Sequence, residues 1–170
     1  FLDGDSQKPT IETKDSGIAL EVDSSLESVR PIIMGAIVKG VNNGDTDEEK
    51  DQFIQSLMDH QEKLHLSLGR KRRFSSIGVH DLSTLSPPFR VVTVPGTHSF
   101  IPLAMDKKMS IDEILSEHPK GVEYAHLMEN MDVYPVILDS NDDILSFPPI
   151  INGDHTTVSE STTDFFIDVT

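Results

Sequence analysis

SFPPIINGDHTTVSESTTDFFIDVT, residues 146 to 170, carries most of the information in this chain. A serine, a double proline and the Ile150-Ile151 pair lead to Asn152 and a Gly153-Asp154 turn. A run of small hydroxyl residues follows, and then a strand-like FFIDVT. Apolar residues interrupted by a few fixed polar ones are the make-up of a pocket wall. In a strand, Asp168 points away from its neighbours Ile167 and Val169, so it is either solvated or aimed at a site. The chain stops inside this strand-like run, whereas termini usually fray in solvent, so the expectation is a truncated piece of something larger.

Outward from this segment, the pattern mixes strands and helices without a repeating βαβ period. Val133 to Leu138 and Ile144 to Phe147, joined by Ser140-Asn141-Asp142-Asp143, read as a hairpin. Ile18, Leu20 and Val22 alternate with polar residues as in a half-buried strand, and the continuous apolar run Pro31 to Val38 reads as a buried one. Phe74 to Val79 and Phe89 to Val94 complete the expected strands, with Pro87-Pro88 outside them because proline cannot sit inside a central strand.

The most distinct helix is predicted over 46–68. Thr46 with Glu49 forms a capping box, Gly69 supplies the stop, and Phe53, Leu57, Leu64 and Leu68 share a face with Ile54 and Met58 beside it. A short helix is expected from Ser110, capped with Glu113, to about Glu117, and a second over Gly121 to Asn130. Residues 1–17 are polar and turn-rich and read as a linker or edge segment, leaving 18–170 as one domain. The expected class is α+β, with mixed sheets packed with a few helices.

Composition excludes several functions. With no cysteine there are no disulfides and no zinc-thiolate sites. No apolar run approaches a membrane span and no signal peptide opens the chain, so an intracellular protein is expected. A net charge of −15, from 14 basic and 29 acidic side chains, works against non-specific attraction to phosphate backbones. Arg70, Lys71, Arg72 and Arg73 nonetheless place four cations together. They read either as a solvated helix end or as a phosphate contact.

No nucleophile elbow, Walker loop, dinucleotide fingerprint or H-E-x-x-H motif is present. Neither His60 with His65 nor His118 with His126 has the i,i+4 spacing that aims two imidazoles at one metal. His80-Asp81 follows a predicted strand and could project into a cleft, although Asp81 capping the next turn with His80 filling space is the simpler reading. From the residues alone, the chain is an α+β domain with a candidate polar pocket near its C-terminus.

Four stretches, in order along the chain, resemble the B3/B4 domain of the beta subunit of archaeal and eukaryotic phenylalanyl-tRNA synthetases. They are VRPIIMGAIVKGV at 29–41, QEKLHLSLGRKRRFSSIGVHDLSTLSPPF at 61–89, HPKGVEYAHLMEN at 118–130, and the whole of 134–170. The resemblance implies a layered β/β/α fold and hydrolysis of tyrosine wrongly attached to tRNA(Phe). It also implies a site drawn from Ile137, Ser146, Asn152, Asp168 and Thr170. Ile137 would be pocket wall, Asn152 or Asp168 would meet the tyrosine hydroxyl or the amino group, and Ser146 and Thr170 would fix the ester and a water. His80 and Asp81 are further substrate-contact candidates, and Arg70 to Arg73 candidates for guiding the acceptor end of the tRNA.

The same resemblance implies tRNA(Phe) and an alpha subunit as partners, a heterotetramer of two alpha and two beta chains, and a cytoplasmic location. ATP and magnesium would serve the parent enzyme, with no cofactor for this domain. Two readings compete. One is a non-hydrolytic tRNA-positioning or scaffold domain of the same subunit. The other is an unrelated metal-dependent hydrolase using His80, Asp81, His118 or His155.

Overall fold

The computed structural model describes residues 12–170. Of the expected linker or edge segment, 1–11 lie outside the described residues and 12–17 form no helix or strand. Strands β1 (Leu20–Val22), β4 (Phe89–Pro95), β7 (Val133–Leu138), β8 (Ile144–Phe147) and β9 (Ile151–Asn152) form a five-stranded sheet in the order β1-β4-β7-β8-β9. Strands β2 (Met34–Val38), β3 (Ile77–Asp81) and β10 (Phe165–Val169) form a three-stranded sheet with β10 in the middle, and β5 (Ser99–Phe100) pairs with β6 (Met109–Ser110).

Alternation along the central strands explains the layering. On β4, Phe89 and Val91 point to one side and join Ile137, Leu145 and Phe166 in a core shared with the small sheet. Val94, Val136 and Leu138 point to the other side and pack with Ile111 and Ile114 of α2 (Ile111–Glu117) and Tyr124 of α3 (Pro119–Tyr124). Because side chains alternate with period two, one sheet supplies both cores. The architecture is therefore α+β, layered as small sheet, large sheet and helices. Phe166 joins the sheets: its ring is stacked 4.4 Å from Phe89 and 5.7 Å from His80.

Both predicted capping boxes form, at Thr46/Glu49 and Ser110/Glu113. Helix α1 runs over Asp47–Leu66, with Thr46 as its N-cap, and ends two residues before the expected 68. Gly69 serves the stop, its N–H donating to the Leu64 carbonyl (2.9 Å) where a side chain would strike the Ser75 and His65 carbonyls, and three successive residues in the left-handed region follow, Arg70, Lys71 and Arg72, at φ 46°, 57° and 64°. Such backbone costs about 1 kcal/mol or more per non-glycine residue and is kept only where the surroundings require it. This turn delays β3, which begins at Ile77 rather than Phe74; Phe74 is left exposed. The second short helix covers only Pro119–Tyr124, followed by a 3-10 turn at Ala125–Leu127.

Two burial expectations are corrected. The 31–38 run is an edge strand from Met34 to Val38, bonded only to β10, and Ile32 (71% exposed) and Met34 (60%) face solvent. Leu64 on α1 and Leu68 beyond its end are exposed. The inward stripe is instead Ile54, Met58, Gln61 and His65, at the i, i+4, i+7, i+11 spacing of one helix face.

Phe166→Ala should lower stability by about 3–5 kcal/mol, since it empties the junction between the two sheets. The urea unfolding midpoint checks this. A loss under about 1 kcal/mol would mean that the sheets do not depend on this ring.

Candidate functional site

The two sheets converge on a cavity of about 280 Å³. One wall is a cross-strand row on the large sheet. Val91 pairs with Ile137, Ile137 with Ser146, and Ser146 with Asn152, so these four residues lie side by side on one face. Val91 and Ile137 are fully buried in the core, whereas Ser146 and Asn152 line the cavity. Ile137 therefore continues the same row one strand deeper in the core and is not among the lining residues, a correction to its expected place. Ser146 Oγ donates to Asn152 Oδ1 (3.3 Å), and Asn152 Nδ2 reaches across to the carbonyl of Val79 (3.4 Å) on β3.

The opposite wall comes from the small sheet. There Asp168 stands in a row between Gly35 of β2 and Gly78 of β3. A Cβ on Gly78 would lie 1.9 Å from Asp168 Oδ2, so glycine is what leaves room for the carboxylate. Asp168 is only 1% exposed. Its Oδ2 bonds His80 Nε2 at 2.8 Å, and His80 Nδ1 bonds Thr156 Oγ1 at 2.9 Å, so the imidazole is held at both ends. Among the described residues no hydrogen bond reaches Oδ1, and Asp168 lines the cavity. One carboxylate oxygen is thus fixed in the protein and the other is uncommitted. Arg30 adds a nearby cation, donating from Nη2 to the Thr170 carbonyl at 3.1 Å. Burial lowers its pKa, and the charge of Asp168 partly restores it.

Thr170 stands one bond back from the cavity. Its hydroxyl is 2.6 Å from that of Ser76, which does line it. Asp81 takes the capping role. It accepts from the Ser83 N–H and from the hydroxyls of Ser83 and Thr162, bonds that outweigh the effect of its burial and hold its carboxyl below the ordinary value. Both its oxygens are committed, and it is not among the lining residues.

The 70–73 run divides. Arg70, Lys71 and Arg73 are exposed, with Arg70 stacked on Phe74. Arg72 turns inward and donates from Nη1 to the carbonyls of Pro149 and Ile150, pairs with Glu62, and stacks on Tyr124. It lines the cavity as a tie between α1, α3 and the β8–β9 connection, which is the arrangement that the left-handed turn secures.

The remaining wall is α1. Gln61 Nε2 donates to the Ile77 carbonyl (2.6 Å), and His65 Nε2 accepts from the Ile77 N–H (2.8 Å). Burial, and then the charge of Arg72, lower the pKa of His65. Gln61, His65, Arg30 and Thr156 were not singled out from the sequence. Only the stripe of α1 carried a readable signal for any of them. Among the described residues, no group of three or more His, Asp or Glu side chains is placed to hold a metal ion, and no helix is long and apolar enough to cross a membrane.

Residues 29–170 match the model of the B3/4 domain. The chain belongs to the B3/4 domain family, in the form found in phenylalanine–tRNA ligase beta subunits. It is 47% identical over 170 residues to the phenylalanine–tRNA ligase beta subunit of Methanosarcina acetivorans, covering 100% of this chain and 30% of that relative. It is 50% identical over 151 residues to that of Archaeoglobus fulgidus, covering 89% and 26%. A crystal structure of an N-terminal fragment of the phenylalanyl-tRNA synthetase beta subunit from Pyrococcus horikoshii superimposes with a TM-score of 0.82 at 38% identity, covering 95% of this chain and 45% of that one. The B3/4 chain thus spans about 30% of the length of the Methanosarcina relative.

Two outcomes test the geometry. Because its pKa is lowered in the fold from an ordinary 6.5, His65 lets the unfolded chain bind a proton that the folded one refuses. Its contribution to stability is complete above pH 6.5 and falls as the pH drops below it. His65→Gln should flatten the decline in the denaturation midpoint between about pH 7.5 and 5.5; an unchanged decline would place the cause elsewhere. Gly78→Ala should cost about 1–3 kcal/mol by forcing the Asp168 carboxylate aside, and a neutral effect in the same assay would contradict that close approach.

Proposed function

We propose that this domain edits aminoacyl-tRNA, hydrolysing tyrosine esterified to tRNA(Phe). In this reading it works within a cytoplasmic heterotetramer of two alpha and two beta chains. The alpha subunit carries the aminoacylation chemistry with ATP and magnesium, and the editing cavity needs no cofactor. The observation that carries the reading is the uncommitted oxygen of a buried carboxylate facing a cavity that also offers apolar side chains.

The need for such a site is physical. A pocket shaped for phenylalanine cannot strongly reject a substrate that merely adds a hydroxyl, so a second site must recognise that hydroxyl positively. The tRNA is too large to enter, so the ester stays near the mouth and the ring goes in first. Asp168, only 1% exposed, then accepts the phenolic O–H through Oδ1. Its other oxygen is fixed by His80 and its surroundings are kept clear by Gly78. Phenylalanine in the same place leaves that carboxylate oxygen dry and unpaired. Sites of this kind discriminate by up to roughly 10⁴-fold.

Ile54, Met58, Val79 and Ile150 give the ring apolar contacts. Asn152, half-buried and bonded to Ser146, sits nearer the solvent, where its amide can orient the ester. An aminoacyl ester is already activated, so no nucleophilic side chain is required. A water adds to the ester carbonyl, the C–O bond to the terminal ribose breaks, and the ribose oxygen leaves with a proton from that water. The products are free tyrosine and uncharged tRNA. The exposed cations Arg70, Lys71 and Arg73 supply long-range attraction for the tRNA.

In the assembled synthetase, Asp168→Asn should reduce the preference for tyrosyl- over phenylalanyl-tRNA(Phe) by about 10²-fold or more, because an amide can still pair but no longer presents a charged acceptor. Asn152→Ala should slow hydrolysis of the tyrosyl ester by about tenfold with selectivity retained. Deacylation of both esters measures these effects. A wild-type enzyme with no preference between them would overturn the reading.

A further inference from the structure

We propose that Lys120 forms a phosphate subsite at the mouth of this cavity, holding the backbone phosphate of the terminal nucleotide of the aminoacylated RNA. The inference rests on the editing reading of the same cavity and extends it to how the nucleic acid is seated.

The cavity is small for a ligand pocket. At about 280 Å³ it takes an aminoacyl group, and the nucleotide must remain outside. Two cations line it, Arg72 and Lys120. Arg72 is spent on two backbone carbonyls and Glu62. Lys120 is not. Its side chain is 45% exposed and its Nζ lies 5.5 Å from the centre of the Tyr124 ring, whose other cationic neighbour is Arg72. Among the described residues its one ion pair is with Glu123, three residues on along α3 and 52% exposed, at 2.9 Å. An exposed pair of that kind contributes little and is screened by salt, so a phosphate can displace the carboxylate.

A second observation sets the direction of approach. Beyond Ile54 and Val158 the cleft opens into a neighbouring depression lined by Asp47, Asp51 and Glu160, with Lys50 the cation there. That end repels a polyanion, and the Lys120 end admits one. On a chain with a net charge of −15, local placement of a cation decides where a phosphate can settle. The ammonium acts as a point charge and needs no bidentate geometry, so arginine can replace it.

The test uses the assembled synthetase with two substrates, tyrosyl-tRNA(Phe) and 3′-O-tyrosyl-adenosine, the second lacking any phosphate. Lys120→Gln should raise KM for the tRNA ester about tenfold with kcat nearly unchanged. It should also make the slope of log affinity against log salt shallower by about 0.7, the value for one contact on a single strand. Lys120→Arg should restore both, hydrolysis of the adenosine ester should not change, and Lys39→Gln, an equal charge change at an exposed site, should have no effect. If Lys120→Gln keeps the wild-type KM, or slows both substrates alike, the subsite is overturned while editing stands. If the wild-type enzyme hydrolyses neither ester, the editing reading falls and the subsite with it.

Discussion

The free edge of β3 is the constraint on which the rest of the arrangement depends. Ile77 and Val79 turn backbone groups away from β10, and such groups are costly to leave dry. Among the described residues no further strand pairs with them. Side chains do so instead: Gln61 and His65 from α1 at Ile77, and Asn152 from β9 at the Val79 carbonyl. Side chains that reach an edge keep their own backbones at a distance, and the space they span is the cavity. The inner stripe of α1 is therefore half apolar and half polar. The two sheets meet through Phe89 and Phe166 at one end and stand apart at the other.

Much of the layout was legible because it follows from local chemistry. Capping boxes, the 133–147 hairpin and the alternation in β4 and β7 depend on near neighbours and on period two. The direction of Asp168 was legible for the same reason, since it opposes Ile167 and Val169. Other features depended on partners distant in sequence. Leu64 and Leu68 looked like the buried face of α1, yet the edge of β3 selects the face carrying His65. The 31–38 run looked buried on hydrophobicity, but a strand with only one bonded neighbour leaves a face in water. Arg72 resembled its three cationic neighbours, and only the turn at Arg70 to Arg72 distinguishes it.

The candidate site was legible in kind and less so in detail. Ser146, Asn152 and Asp168 line one cavity because two cross-strand rows face each other. Ile137 belongs to the same row but sits one strand deeper, a difference that sequence spacing does not carry. Thr170 and His80 act at one remove, through Ser76 and through Asp168 itself. Burial strengthens the polar contacts made at this wall, above all those of His80, Asp168 and Thr156.

Strand β10 follows every other described element in sequence yet lies between β2 and β3. As the chain emerges from the ribosome, those two strands have no partner for the sides that β10 will cover. The nascent domain therefore carries two open strand edges until β10 appears, the condition under which chains pair with the wrong neighbour. The large sheet, whose strands β4, β7, β8 and β9 are already complete, can serve as the template on which the small sheet closes. The cavity wall that carries Asp168 is thus completed only when β10 docks.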